Sequence, residues 1–398
     1  MLSIEEPSSH HIALHHLGFR PFFLLGGLSA TVLMALWLWL YHFSGTLPQA
    51  GLLTPITWHA HEMLYGYGLA VIAGFLLTAV RNWTGVQTLH NLPLLLLALL
   101  WLLARLMPFV DIPAAPLAMA VLDLAFDAAL CLALLAPIAR LRQWSQLAVW
   151  SKVLLLLAGN ALFYLGLFGQ LAQGIRWGLY GGLYLVISLV LLMAARVLPF
   201  FIEKGVEEKV TLPSHRWMDI ASLLLMLAFL VVEVFLPHAL LAAAIAWALF
   251  ALHALRLAGW HSRGIWRKPL LWVLYLGYAW IVAGFALRGL QAFVPLAPTL
   301  AVHAFTVGGI GLMTLGMMAR VALGHTGRNV FDPPPLLTWL FLSLLLAALV
   351  RVLLPILLPA QYAAWIGLAQ WLWIAAFGGF TWVYAPMLVQ ARVDGRYG

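Results

Sequence analysis

The chain has 398 residues, of which 64% are hydrophobic and only 9% are charged, and its mean hydropathy is +0.99. A soluble domain of this length could not bury so much apolar surface, so the composition predicts an all-α polytopic membrane protein. The formal charge of +8 is not a nucleic-acid signature here, and the single cysteine, Cys131, excludes both a disulfide framework and a covalent haem-attachment motif.

Twelve apolar runs are long enough to cross a hydrocarbon core about 30 Å thick, which needs roughly 20 helical residues. They predict spans near residues 21–43, 57–80, 92–108, 115–137, 146–169, 176–201, 216–236, 239–259, 270–292, 297–323, 335–357 and 361–390. Residues 1–17 form a polar, histidine-rich segment before the first span. No soluble domain fits between the spans, so we expect one transmembrane domain over residues 1–398.

The basic residues predict the orientation of the spans. Of the 21 Lys and Arg residues, all but four fall on the side of the membrane where the chain begins, the exceptions being Arg105, Arg176, Arg288 and Arg351. Cytoplasmic loops carry an excess of Lys and Arg. Both termini, including the segment 1–17, are therefore predicted to be cytoplasmic.

Predicted spans 2 and 10 resemble each other. His61 lies 24 residues before Gly85, His303 lies 24 residues before Gly327, and each run ends in Thr-Gly. A histidine in a membrane helix usually faces the bundle interior, and imidazole is a common haem ligand. The match predicts a non-covalent b-type haem held by His61 and His303. The plainer interpretation is that each ring hydrogen-bonds to a neighbouring helix. Spans 2, 6 and 10 also all end in arginine, which suggests an internal repeat of about four helices.

Two further histidines are candidate metal ligands. His59 lies about 200° around the helix from His61, so one regular helix cannot present both to the same iron. The sequence leaves open which of the two binds the iron, and the other could face a separate metal or a partner helix. His59 is the first candidate for a copper ligand. His325 is about 33 Å along a helix from His303, which indicates either a second metal site or a structural loop. The amino-terminal histidines could join such a second site: His10, His11, His15 and His16.

Ionisable residues inside the spans are candidates for a proton route. Glu62 follows His61 directly. Its negative charge could be stabilised by the positive end of the helix dipole, or the side chain could relay protons near a metal. Asp123 and Asp127 stand four residues apart on one face of span 4, which favours a proton or ion path. Three arginines lie at or inside helix ends, where haem propionates would need cations and where interfacial anchors are also common: Arg105, Arg288 and Arg351.

Several blocks of the chain, in order, resemble the NnrS family, bacterial inner-membrane proteins that contain haem and copper and are associated with nitric oxide. The blocks are residues 17–23 (LGFRPFF), 58–63 (WHAHEM), 82–85 (NWTG), 196–201 (RVLPFF) and 303–328. The resemblance covers nearly the whole chain. It implies twelve membrane helices, haem and copper, and a role in nitric-oxide metabolism or resistance, but neither a settled reaction nor a settled set of ligands.

The layout is also loosely similar to that of haem–copper oxidases and nitric oxide reductases, which place haem-binding histidines on helices 2 and 10. Their His-x3-Tyr motif on helix 6 and paired histidines on helix 7 are missing here, so an oxygen-reducing binuclear centre is not expected.

Three functions stay open from the sequence. The first is an inner-membrane haem and copper protein that binds or reduces nitric oxide or a related small molecule, with electrons from a donor. The second is a transporter of a metal or small solute that uses the same histidines. The third is a factor that delivers haem or copper to another enzyme.

Overall fold

The computed structural model describes residues 12–47, 52–236 and 238–398. Within those ranges twelve helices are long and apolar enough to cross a membrane, and we number them α1–α12 in chain order. They are Phe19–His42, Pro55–Thr84, Asn91–Phe109, Ala115–Arg140, Trp144–Leu167, Gly174–Gly205, Arg216–Phe235, Ala239–Gly259, Pro269–Leu290, Pro298–His325, Leu336–Leu357 and Pro359–Val389. Each agrees with a predicted span to within a few residues, which confirms the prediction of an all-α polytopic membrane protein. His10 and His11 lie outside the described residues.

The chain folds into two compact units. Unit 1 contains the described residues up to Leu183 together with Val321–Asn329 and Phe377–Gly398, and unit 2 contains the described residues of Tyr184–Arg320 and Val330–Ala376. In unit 1, α2 packs against α1 and α4, and α4 packs against α3 and α5. In unit 2, α9 packs against α8 and α10, α7 packs against α8, and α10 packs against α11. The single transmembrane domain expected from the sequence stays a prediction.

The described ends of the chain meet in unit 1. The Ala13 N–H donates to the Val389 carbonyl over 2.7 Å. The guanidinium of Arg20 is fully buried and donates to the carbonyls of Leu388 and Gln390, at 2.8 and 2.7 Å. The last carbonyls of a helix have no partner within that helix. Arg20 therefore caps α12 and ties the first span to the last.

Helices α2 and α10 share an unusual build. Each begins with proline and runs as α-helix to its histidine, over Pro55–His61 and Pro298–His303. A wider π-helical segment follows directly in both, over Glu62–Gly68 and Ala304–Gly311, before the α-helix resumes. By contrast, α6 is α-helical throughout. The likeness predicted from the sequence therefore extends to the backbone of α2 and α10 but not to α6. Such π segments are rare in proteins, but those that occur are often found at functional sites.

The same two helices also end alike. The hydroxyls of Thr84 and Thr326 each donate to the carbonyl four residues earlier, at 2.7 Å in both cases. The next residues, Gly85 and Gly327, adopt left-handed φ angles of 66° and 77°. Glycine takes this conformation without the steric cost of a Cβ atom, so it ends the helix at that point. The Thr-Gly pairs seen in the sequence are thus matched helix terminators.

Candidate functional site

His61 lies at the junction between the α-helical and π-helical segments of α2 and is fully buried. Thr54 caps this helix through its side chain, and Pro55 follows at the first turn, so the start of the helix is well determined. The imidazole Nε2 lies 3.0 Å from Asn160 Oδ1. The ring packs on Phe163, with centroids 4.3 Å apart and planes 27° apart. Tertiary contacts with α5 therefore set the orientation of the ring.

Charged side chains from three helices surround His61. Glu62 Oε1 lies 3.3 Å from His61 Nδ1, and Glu62 Oε2 lies 3.3 Å from Arg105 Nη1. Arg105 also pairs through Nη2 with Asp123 Oδ1, and Asp123 Oδ2 lies 3.5 Å from His61 Nε2. Together with Asp127, these residues form what we call the buried cluster, in which every side chain is at most about 5% exposed. The structure therefore brings together the candidate residues that the sequence indicated on three separate helices, α2, α3 and α4.

Two members of α5 that sequence reasoning missed complete the cluster. Asn160 Nδ2 donates to Asp127 Oδ2 over 2.9 Å, and the Tyr164 hydroxyl donates to Asp123 Oδ2 over 2.6 Å. The two residues are four apart and so share one helix face. A polar pair at that spacing inside an apolar run was the available signal, because buried polar groups need partners. Asp123 and Asp127, on the facing helix α4, were recognised in the sequence by the same four-residue spacing.

The two aspartates have different surroundings. Asp123 pairs with Arg105 through Oδ1 and accepts a hydrogen bond from the Tyr164 hydroxyl through Oδ2. Asp127 accepts from Asn160 alone through Oδ2, and its buried Oδ1 has no hydrogen-bond partner among the described residues. A carboxylate without an adjacent cation is costly in a low-dielectric interior.

Counting charges shows how many protons the buried cluster can hold. Three carboxylates face one arginine, which leaves two negative charges when no proton is bound. Asn160 donates to Asp127, so its Oδ1 accepts from His61 Nε2–H. The contact between His61 Nδ1 and Glu62 then also needs a proton between two acceptors. One proton there and one on Asp127 make the cluster neutral.

The π segment of α2 also positions Tyr65. Its hydroxyl donates to the carbonyl of Gly178 over 2.7 Å. Gly159 and Gly182 make room for it, since a Cβ atom at either position would come within 2.8 or 2.5 Å of the hydroxyl oxygen. The slot holds α2 against α5 and the first turns of α6. The ring of Tyr65 lies 5.2 Å from that of His61, so the slot also supports the site.

His59 faces a different direction from His61, as the helical geometry predicted. It is half-buried, and its ring stacks on Trp37 with centroids 4.4 Å apart and planes 10° apart. In the same unit, His325 ends α10, and its ring lies 5.6 Å from that of Phe19. The structure therefore places neither histidine in the buried cluster.

His303 occupies in α10 the position that His61 occupies in α2, the last residue before the π segment. It is half-buried in unit 2, and its Nδ1 lies 2.6 Å from the carbonyl oxygen of Thr299. Because a carbonyl can only accept, Nδ1 carries the proton and Nε2 carries the lone pair.

The other predicted arginines have partners in unit 2. Arg288 Nη2 lies 2.5 Å from Glu233 Oε1, and the Tyr184 hydroxyl lies 3.4 Å from the other oxygen of Glu233. Arg351 is buried, with its guanidinium 5.8 Å from the centre of the Tyr362 ring. Arg105 belongs instead to the buried cluster.

Unit 2 contains a second buried polar group that the sequence did not single out. His253 is fully buried, with Nδ1 2.6 Å from the Tyr278 hydroxyl and Nε2 3.2 Å from Ser222 Oγ. The only signal in the sequence was a histidine within the eighth apolar run. As for metal sites, no group of three or more His, Cys, Asp or Glu residues is arranged as metal ligands within residues 12–47, 52–236 and 238–398.

Comparison with known proteins identifies the family. The model of the NnrS protein family matches residues 13–392, which is nearly the whole chain and includes the buried cluster and His303. No curated protein matches the chain. A family match of this extent does not depend on one motif. The chain therefore belongs to the NnrS family and is a membrane protein associated with nitric oxide.

Proposed function

We propose that the chain is a haem-binding inner-membrane protein that acts in nitric-oxide metabolism or resistance, and that the buried cluster holds protons for this chemistry. The observation that carries the proposal is a neutralisable set of three carboxylates, one arginine and one histidine inside the spans of a chain from a nitric-oxide-associated family. Intramembrane ionisable residues are costly and mark functional pathways. Reduction of nitric oxide consumes protons and electrons, and an electron donor would be a partner.

His303 would be one of the residues that hold a haem iron. Its Nδ1–H donates to the Thr299 carbonyl, which orients the Nε2 lone pair as a metal ligand. When bound, a haem iron would supply a coordination position for nitric oxide and one-electron redox chemistry.

His61 has a polar neighbour at each ring nitrogen. Both of its ring nitrogens face hydrogen-bond partners, Asn160 and Glu62, so binding iron would require one contact to break. The shared haem of His61 and His303 stays a prediction, as does the role of Arg105, Arg288 and Arg351 towards haem propionates.

Copper is known in the family but is less well supported by the residues of this chain. The described ranges contain no arrangement of three metal-ligating side chains, so the residues as placed do not fit a copper site. His59 and His325 stay predicted metal ligands, and we derive no step through copper.

Within the buried cluster each residue has a proposed role. Asp127 and the pair of His61 and Glu62 hold the protons, because these positions need them for charge balance and hydrogen bonding. Arg105 and Tyr164 hold Asp123 in place beside the proton carriers through an ion pair and a hydrogen bond.

The proposal also places both termini in the cytoplasm of a bacterium. The distribution of Lys and Arg supports this orientation. The contact between the described ends of the chain further supports a common side for the two termini.

Optical spectra of the purified protein test the proposal. We would record oxidised and reduced spectra with and without nitric oxide for the wild type, His303→Ala, His61→Ala and a control, His238→Ala, which replaces an exposed histidine just before α8. We expect a b-type haem that responds to nitric oxide, that His303→Ala abolishes and that His238→Ala retains. If His61→Ala also abolishes the haem, the two-histidine ligation is supported. A wild-type protein without haem, or an unchanged haem in His303→Ala, refutes the proposal.

A proton-coupled transporter is the second candidate, because the buried cluster needs no haem to hold protons. The same spectra separate the two functions. A protein that purifies folded and free of haem, yet moves protons with a solute in vesicles, is a transporter.

A further inference from the structure

Unit 2 contains a partly open cavity of about 250 Å³ at the ends of three helices. It lies between the last part of α6, the first turn of α7 and the last turn of α8. Its lining includes three residues of the loop before α7, a charged pair and the residue after α8: Pro213, Ser214 and His215, then Asp219 and Arg256, then Trp260. None of these residues belongs to the buried cluster, so the cavity is a separate feature.

The cavity presents a buried cation. The side chain of Arg256 is only 5% exposed, and its Nη2 lies 2.8 Å from Asp219 Oδ1, whereas Asp219 is half-exposed. The guanidinium also lies 5.7 Å from the ring centre of Trp260. Exposed Arg196 interacts electrostatically with Asp219. Arg256 is thus a buried cation that lines the cavity and that an anionic ligand can share with Asp219.

The second buried polar group of unit 2, which contains His253, contacts Arg256 on the side away from the cavity opening through Tyr278. Arg256 interacts with the hydroxyl of Tyr278, which in turn lies 2.6 Å from His253 Nδ1. His253 is fixed on its other side by Ser222, 3.2 Å away. A charged group whose position is set in advance loses less entropy when it binds a ligand.

The position of the cavity points to the class of ligand. Asp219 lies in the first turn of a membrane-length helix and Arg256 in the last turn of its neighbour. Helix ends lie at the level of lipid headgroups, where tryptophan is also enriched. Two lining residues extend the cavity towards the exposed helix surface, since Trp217 is 60% and Leu255 is 66% exposed. An anionic head and an apolar tail would therefore both find complementary surfaces.

We propose that this cavity binds the phosphate headgroup of an anionic phospholipid. Arg256 attracts the phosphate, and Asp219 competes with it for Arg256. Trp217 and Leu255 contact the glycerol and the first part of the acyl chains. The proposal does not depend on haem, since its residues are outside the buried cluster.

Native mass spectrometry of the delipidated full chain in detergent tests the proposal. The probes are phosphatidylglycerol, zwitterionic phosphatidylcholine and soluble glycerol 3-phosphate. The variants are Arg256→Gln, Asp219→Asn and the control Arg267→Gln, which removes an exposed arginine from the loop after α8.

We expect one saturable phosphatidylglycerol site that phosphatidylcholine fills much less well. Arg256→Gln should weaken binding about tenfold, which corresponds to about 1.4 kcal/mol, and Arg267→Gln should leave it within about twofold. Asp219→Asn should strengthen binding, because the competing carboxylate is gone. This variant keeps the proposal testable even if Arg256→Gln does not fold.

Three results would overturn the proposal. The first is equal weakening by Arg256→Gln and Arg267→Gln, which would mean a diffuse charge effect. The second is weaker binding by Asp219→Asn, which would make the ion pair purely structural. The third is glycerol 3-phosphate binding as tightly as the lipid, which would assign the site to a soluble phosphate compound.

Discussion

Replacing Arg105 by glutamine should be among the most destabilising single changes in unit 1. Arg105 pairs with both Glu62 and Asp123, and the three side chains are 5%, 0% and 1% exposed. Removing one partner of a buried ion pair costs about 3–5 kcal/mol, because the remaining charges stay buried without compensation. Arg105→Gln removes the cation that balances the cluster and leaves one negative charge buried without compensation, so we expect a loss within this range.

The assay uses the only cysteine of the chain. Cys131 is buried in α4, two turns from Asp123, so its reaction with a thiol reagent reports the opening of this helix. The reaction should begin at a lower temperature in Arg105→Gln than in the wild type. Adding Glu62→Gln and Asp123→Asn should restore most of the loss, because the unpaired charges are then removed.

Arg288→Gln is the matched control. Arg288 also pairs with a carboxylate inside the helices, but the two side chains are 18% and 10% exposed, so water compensates part of the loss. It should therefore destabilise less. If Arg105→Gln costs no more than Arg288→Gln, or if the triple variant is less stable than the single one, the reasoning from unpaired buried charge is refuted.

Two further substitutions test other parts of unit 1. Gly182→Ala places a Cβ atom 2.5 Å from the Tyr65 hydroxyl and should destabilise the protein by about 1–3 kcal/mol. The control Gly181→Ala has open space at its Cβ position and should not destabilise it. Equal thermal midpoints for the two variants would contradict the role of Gly182 in making room for Tyr65. Hydrogen bonds from Arg392 hold the pKa of Asp394 well below its usual value. The contact between the two residues therefore stabilises the folded state fully above the unfolded pKa of about 3.9, and this stabilisation is lost as the pH falls below that value. The difference in thermal midpoint between the wild type and Asp394→Asn should therefore be constant from pH 8 to pH 5 and close only below about pH 4, and a difference that closes near pH 6 would contradict this sign.

The sequence by itself determined the spans. A helix must present about 20 apolar residues to cross a bilayer and satisfies all of its backbone hydrogen bonds internally, so local composition decides where each span lies. The same local rules put Asp123 and Asp127 on one face and His59 and His61 on different faces. The Thr-Gly pairs also marked the ends of α2 and α10 correctly.

Tertiary structure decided what those faces meet. Arg105 looks like an interfacial anchor in sequence, because nothing near it along the chain shows that Glu62 and Asp123 approach it from α2 and α4. Asn160 and Tyr164 gain significance only from their partners on α4. The π segments after His61 and His303 were equally hidden, since a shift from i+4 to i+5 hydrogen bonding depends on packing around the helix rather than on local propensity. Spans follow from local composition, whereas a polar site inside the membrane depends on which helices become neighbours.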